Sequence, residues 1–160
     1  MAIREGDRLP ETTFETMTPE GKKQLTTADV FAGRRVVLFA VPGAFTSTCS
    51  NMHLPGYLQA IEALKTKGAD VVACTAVNDA SVMRAWEKQT DAEGKIMFLA
   101  DGNADFARKL GLDIDLSRSG MGLRSRRYSM IVEDGVVRRL NVEEKPGVNV
   151  SGAETVLAQL

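Results

Sequence analysis

The stretch Val41-Pro42-Gly43-Ala44-Phe45-Thr46-Ser47-Thr48-Cys49-Ser50 sets a thiol directly behind three hydroxyl residues. Thr46, Ser47 and Thr48 are consecutive candidates for a helix N-cap. Cys49 then falls in the first helical turn, where amides without intrahelical partners and the helix dipole present partial positive charge. The thiolate is the nucleophilic form of cysteine, and a helix N-terminus is one of the settings that favour it. The chemistry expected is attack by sulfur. His53 follows four residues later on the same helix face and is expected at the pocket edge. The second cysteine, Cys74, lies in the apolar run Val71 to Val77 and reads as core packing. A disulfide between the two needs Cα atoms within about 7 Å, which sequence spacing leaves open. One histidine and two distant cysteines are too few for a zinc site without carboxylates, so no metal is expected.

The elements that must position Cys49 follow from hydrophobic patterning. Val36 to Val41 is a continuous apolar run and reads as a buried strand, which Pro42-Gly43 breaks. The helix beyond Cys49 carries Met52, Leu54, Leu58, Ile61 and Leu64 at helical spacing and stops at Gly68. Pro55 lies inside it. An interior proline removes one backbone bond at a cost of roughly 3 kcal/mol, so a kink is expected one turn past Cys49. Ahead of this unit, residues 11–17 and 23–26 read as a hairpin about the Pro19-Glu20-Gly21 turn, and Thr26 or Thr27 as the cap of a short helix. After it come a strand from Asp70 to Val77, a helix capped by Asn78, a short strand from Lys95 to Ala100 and a helix capped by Asn103. An arginine-rich loop spans Leu112 to Ser125. Strands 127–133 and 136–142 flank the strong turn pair Asp134-Gly135, and Ser151-Gly152-Ala153-Glu154 reads as a capping box for a final helix. This order predicts an α/β protein: a central mixed β-sheet with helices on both faces and an N-terminal β-hairpin extension. Ligand chemistry on such sheets sits beyond the carboxyl ends of the parallel strands, which is where Val41 to Cys49 lies.

Composition narrows the function. A chain of 160 residues fits one domain, 1–160. Its 20 basic and 21 acidic residues nearly cancel, which argues against nucleic-acid or membrane-surface binding through bulk charge. The first residues have no apolar core of the kind a signal peptide needs, and no run approaches a membrane span. Two cysteines are not a disulfide scaffold, so a cytoplasmic location is the expectation. No Gly-rich phosphate loop is present, and Gly43 alone carries no such signal.

Pro42-x-x-x-Thr46-x-x-Cys49 is similar to the peroxiredoxin active-site pattern. The longer string through Cys49-Ser50, followed by His53-Leu54-Pro55-Gly56-Tyr57, resembles the peroxiredoxin-5 (type II) subfamily. The likeness continues in register through Val71-Val72-Ala73-Cys74, Val77-Asn78-Asp79, Leu99-Ala100-Asp101 and Arg127 to Gly135. It implies a thioredoxin-like fold, reduction of hydrogen peroxide and organic hydroperoxides, no bound cofactor and a homodimer. By the same resemblance Cys49 is the peroxidatic nucleophile. Arg127 is the arginine that favours the thiolate and holds the peroxide oxygens, Thr46 lines the peroxide up with sulfur, and Pro42 shields the sulfur from water. Gly43, Phe45, Thr48 and His53 are candidates for the substrate pocket. Strand alternation puts Arg126 on the face opposite Arg127, as a surface charge.

Two departures from the pattern matter. Ser47 stands where most members carry proline, which loosens the first turn while keeping a capping hydroxyl. The segment Gly147 to Ser151, where some members carry a resolving cysteine, has no thiol. The resemblance therefore implies a one-cysteine enzyme recycled by glutathione/glutaredoxin or by thioredoxin. A redox sensor or interaction protein, with an oxidisable Cys49 and little turnover, is the alternative.

Overall fold

The computed structural model describes residues 2–160. Thr13–Thr18 (β1) and Gly21–Thr26 (β2) form the expected hairpin. Thr26 caps Thr27–Phe31 (α1) reciprocally: its hydroxyl accepts from the Asp29 amide at 3.2 Å, and the Asp29 carboxylate accepts from the Thr26 amide at 2.9 Å. Arg35–Ala40 (β3) leads to the Cys49 segment and then to Leu54–Gln59 (α2) and Ile61–Thr66 (α3). Val71–Ala76 (β4), Ala80–Gln89 (α4), Met97–Ala100 (β5) and Asp105–Leu110 (α5) follow. Asp113–Asp115 (β6), Leu123–Ser125 (β7), Tyr128–Glu133 (β8), Val136–Val142 (β9) and Ala153–Gln159 (α6) complete the chain.

Seven strands form one sheet in the order β2-β1-β5-β4-β3-β8-β9. β3, β4 and β5 are parallel; β8 runs antiparallel to β3, and β9 to β8. The N-terminal hairpin is part of this sheet rather than an appendage, because β1 pairs with β5 at Glu15 and Ala100. The central strands are apolar on both faces, as strands covered on both sides must be. Val37, Phe39 and Val41 face one layer with Leu54, Tyr57, Leu64, Met83, Trp86 and Val156. Val36, Leu38 and Ala40 face the other with Val30, Phe31, Phe106 and Leu110. Helices thus cover both faces, and the thiol end of the sheet is held between two packed layers.

Several local expectations are corrected. The arginine-rich loop contains a two-stranded ribbon, β6 with β7, which three cross-strand pairs hold but which has no long apolar run to announce it. Asp79, not Asn78, caps α4, accepting from the Val82 amide at 2.9 Å. Asp101, not Asn103, serves the start of α5: its two carboxylate oxygens each accept a backbone amide, from Phe106 and Ala107, at 3.0 Å. The capping box at Ser151 does not form. Gly152 takes the cap position, and the Ser151 hydroxyl is drawn inward to Glu143 at 2.6 Å. The helix beyond Cys49 is two helices, α2 and α3, separated at Ala60 (φ −94°, ψ 2°).

Candidate active site

β3 ends in the core and delivers the chain to the carboxyl edge of the sheet, where Val41 N still donates to Thr75 O at 3.1 Å. The turn from Pro42 to Thr46 reverses direction. Phe45 sits at φ +66°, in the left-handed region that a bulky side chain rarely adopts. The Thr46 carbonyl accepts from the Ser50 amide at 2.9 Å, so Thr46 stands at the helix cap and Cys49 in the first turn, as expected. Its hydroxyl, however, does not cap the backbone. Oγ1 lies 2.8 Å from the Gly43 carbonyl and 2.8 Å from Cys49 Sγ.

The irregularity expected at Pro55 is present and displaced towards the thiol. Cys49–His53 is a π-helical turn, with the Leu54 amide donating to the Cys49 carbonyl five residues back. Pro55 has no amide to donate, and widening the turn by one residue before it accommodates the missing bond. One further contact holds this turn: the Trp86 indole N–H donates to Ser50 Oγ at 3.1 Å.

Arg127 stands immediately before β8, the strand beside β3. Its Nη2 donates to Cys49 Sγ at 3.2 Å, and its Nη1 lies 2.9 Å from His53 Nδ1. Among the described residues no carboxylate pairs with Arg127. The group it faces is the Cys49 sulfur, to which it offers a charge-assisted hydrogen bond. His53 is not at the pocket edge but buried, 1 % exposed. Its Nε2 is 3.0 Å from the Ser151 carbonyl, which also accepts the Tyr57 hydroxyl at 2.7 Å. Burial lowers the His53 pKa from its ordinary 6.5 to about 4; the Ser151 carbonyl opposes this and the Arg127 charge reinforces it. The imidazole is therefore neutral at physiological pH.

The structure brings Cys49, Thr46, Arg127 and His53 together. Pro42 is half-buried, two residues past the end of β3. Gly43 contributes its carbonyl and an absent side chain: a Cβ there would meet Arg124 Nη1 at 3.2 Å, Met121 Cε at 3.3 Å and Thr46 Cγ2 at 3.3 Å. Phe45 turns outward, 45 % exposed, with its ring centroid 6.4 Å from that of Trp86. Thr48 is half-buried and makes no capping bond. Arg126 is exposed, as expected, although it and Arg127 lie between β7 and β8 rather than on a strand. Two residues of the site escaped the sequence reading. Asn78 Oδ1 accepts from the Ala44 amide at 2.9 Å and pins the turn; Arg124 bridges Met121 O and Val77 O above Gly43. The preference of asparagine for turns pointed to a local cap and hid this long-range bond. Cys74 is fully buried on β4 beside Phe39, in the same packed layer as Cys49, and both thiols are free. Burial pushes the Cys74 thiol well above its ordinary value, and the neighbouring Cys49 adds to the effect.

A thiol held by a hydroxyl and a guanidinium in the first helical turn of a thioredoxin-like sheet defines a thiol-redox protein. The profile of the Redoxin family matches residues 4–157. The chain is 45% identical over 163 residues to the chloroplastic Peroxiredoxin-2E of Arabidopsis thaliana, covering 99% of this chain and 70% of that one. Reduced Prx3 of Vibrio vulnificus, solved in complex with hydrogen peroxide, superposes with a TM-score of 0.94 at 50% identity, covering 98% of both chains. Peroxiredoxin 5 of Alvinella pompejana gives 0.86 at 37% identity, covering 98% of this chain and 96% of that one. The chain belongs to the Redoxin family and is a peroxiredoxin, a thiol peroxidase.

Proposed function

We propose that this peroxiredoxin reduces hydrogen peroxide and organic hydroperoxides by a one-cysteine cycle at Cys49. The observation that carries the reading is the convergence of Thr46 Oγ1 (2.8 Å) and Arg127 Nη2 (3.2 Å) on one sulfur. The thiolate attacks one peroxide oxygen and the O–O bond breaks. Sulfur loses two electrons and becomes a sulfenic acid, and the departing oxygen leaves as water or alcohol after taking a proton. Charge grows on that oxygen in the transition state, and the fixed guanidinium and hydroxyl are the donors that can meet it. The Thr46 hydroxyl has one proton and two acceptors in reach, so it can turn from the Gly43 carbonyl to sulfur or substrate without moving the backbone. The complex of the Vibrio vulnificus relative with hydrogen peroxide supports that substrate here.

The one-cysteine reading is supported by Cys74, whose fully buried thiol is held in its neutral, weakly nucleophilic form. An external thiol, glutathione with glutaredoxin or thioredoxin, then attacks the sulfenic acid, releases water and leaves a mixed disulfide that a second thiol resolves. Cys49 is itself buried, so the π-helical turn must open for a bulky reductant. A homodimer and a cytoplasmic location complete the reading.

The test is multiple-turnover peroxide consumption with each reductant for the native protein, Cys49→Ser and Cys74→Ser. Turnover by native protein and Cys74→Ser, with none by Cys49→Ser, is expected. Loss of turnover in Cys74→Ser alone would establish a two-cysteine cycle instead. A single equivalent consumed, with no further turnover, would establish the sensor.

A further inference from the structure

The segment between β9 and α6 has no regular secondary structure, yet it supplies the carbonyl that orients His53. What orders it is one carboxylate. Glu143 follows β9 directly, and its side chain folds back into the segment, leaving the residue 8 % exposed. Oε2 accepts from the amides of Asn149, Val150 and Ser151, each at 2.8 Å, and from Ser151 Oγ at 2.6 Å. Oε1 accepts from Asn149 Nδ2 at 3.2 Å. Such a set of donors suits only an ionised carboxylate.

Glu143 also reaches Arg127 through the main chain. Its amide donates to the Arg127 carbonyl at 3.0 Å, extending the β8–β9 ladder past Tyr128 and Val142. The same residue thus fixes the backbone of Arg127 directly and its guanidinium through a chain of polar contacts. Glu143 orders Ser151, the Ser151 carbonyl takes His53 Nε2 at 3.0 Å, and His53 Nδ1 takes Arg127 Nη1 at 2.9 Å. Arg127 Nη2 is left aimed at sulfur.

We propose that Glu143 is a positioning residue for the peroxidase reaction, setting the Arg127 guanidinium on Cys49 through Ser151 and His53. This rests on Cys49 being the reacting thiol. Burial works to raise the Glu143 carboxyl, but the Ser151 hydroxyl and the Val150, Asn149 and Ser151 amides outweigh it and hold it below its ordinary range. The carboxylate is therefore charged wherever the enzyme works.

Glu143→Gln keeps the backbone bond to Arg127 and cuts only the side-chain route. It is made alone and in a His53→Ala background, with thermal melting to confirm folding. Two quantities are read: the second-order rate of hydrogen peroxide consumption, and the pH midpoint of thiolate absorbance at 240 nm. In the native background Glu143→Gln is expected to slow the reaction about tenfold and to raise the thiolate midpoint. In the His53→Ala background it should change either quantity less than twofold, because the route is already cut. Equal losses in both backgrounds, or no loss in a folded Glu143→Gln protein, would overturn the proposal. If Glu143→Gln does not fold, the same cycle is run with Ser151→Ala, which removes one donor and leaves the backbone partners. The native thiolate titration reads the charge at Cys49 without turnover, so a protein with no peroxidase activity would fail the functional reading and still decide this one.

Discussion

His53 and Arg127 meet nitrogen to nitrogen, Nδ1 to Nη1 at 2.9 Å, and the contact fixes the tautomer of the ring. A guanidinium can only donate, so Nδ1 must accept; the Ser151 carbonyl can only accept, so Nε2 carries the hydrogen. A protonated imidazole would place a second N–H against the guanidinium and a second positive charge beside it. Burial and Arg127 both oppose that state, and in the folded protein the histidine stays neutral until the pH falls to about 4.

Stability should therefore fall in mild acid. The unfolded chain takes up the His53 proton near the ordinary 6.5, whereas the folded chain does so only near 4. Between these values the unfolded state binds more protons, so stability is complete above pH 6.5 and declines as pH falls towards 4. The total is about 3 kcal/mol across the window. Urea unfolding at pH 7.5 and pH 5 measures most of it, and His53→Gln should flatten the slope. The carboxylate of Glu143 adds loss of the same sign at lower pH, so the upper part of the window is the clean one.

Thr46 should separate hydroxyl from shape. Thr46→Val is nearly isosteric and removes the donor 2.8 Å from Cys49 Sγ. A loss of about a hundredfold in kcat/KM for hydrogen peroxide is expected, in line with removal of one transition-state donor. Thr46→Ser, which keeps the hydroxyl, should stay within about tenfold of the native rate. Equal behaviour of the two variants would remove the hydroxyl from the mechanism.

Trp86 is the one tryptophan of the chain, and its indole holds Ser50, the neighbour of Cys49. Opening of the π-helical turn on oxidation must break or strain this bond. One equivalent of peroxide should change Trp86 fluorescence, and added thiol should restore it. Hydrogen exchange over residues 46–56 should quicken in the oxidised form. Cys49→Ser should show neither response. Oxidised protein with an unchanged spectrum and unchanged exchange would mean that the turn stays closed.

Sequence by itself determined the frame and the place of Cys49 at a helix start. The apolar runs at 36–41 and 71–77 specify strands buried on both faces, because no other placement removes that much contiguous apolar surface from water. Proline, glycine and three hydroxyl residues specify the turn that starts a helix at Cys49, since these effects act within a few bonds. The motif around Cys49 also carried the family. Tertiary structure alone decided which polar groups meet across the chain. Asn78 and Ser151 are good local caps, yet one pins Ala44 and the other donates to Glu143, because a buried polar group takes the partner that packing brings to it. His53 was legible as a neighbour of Cys49 on one helix face. That it is buried, neutral and wedged between Arg127 and Ser151 depends on residues 74 and 98 positions away, and only the packed sheet sets that distance.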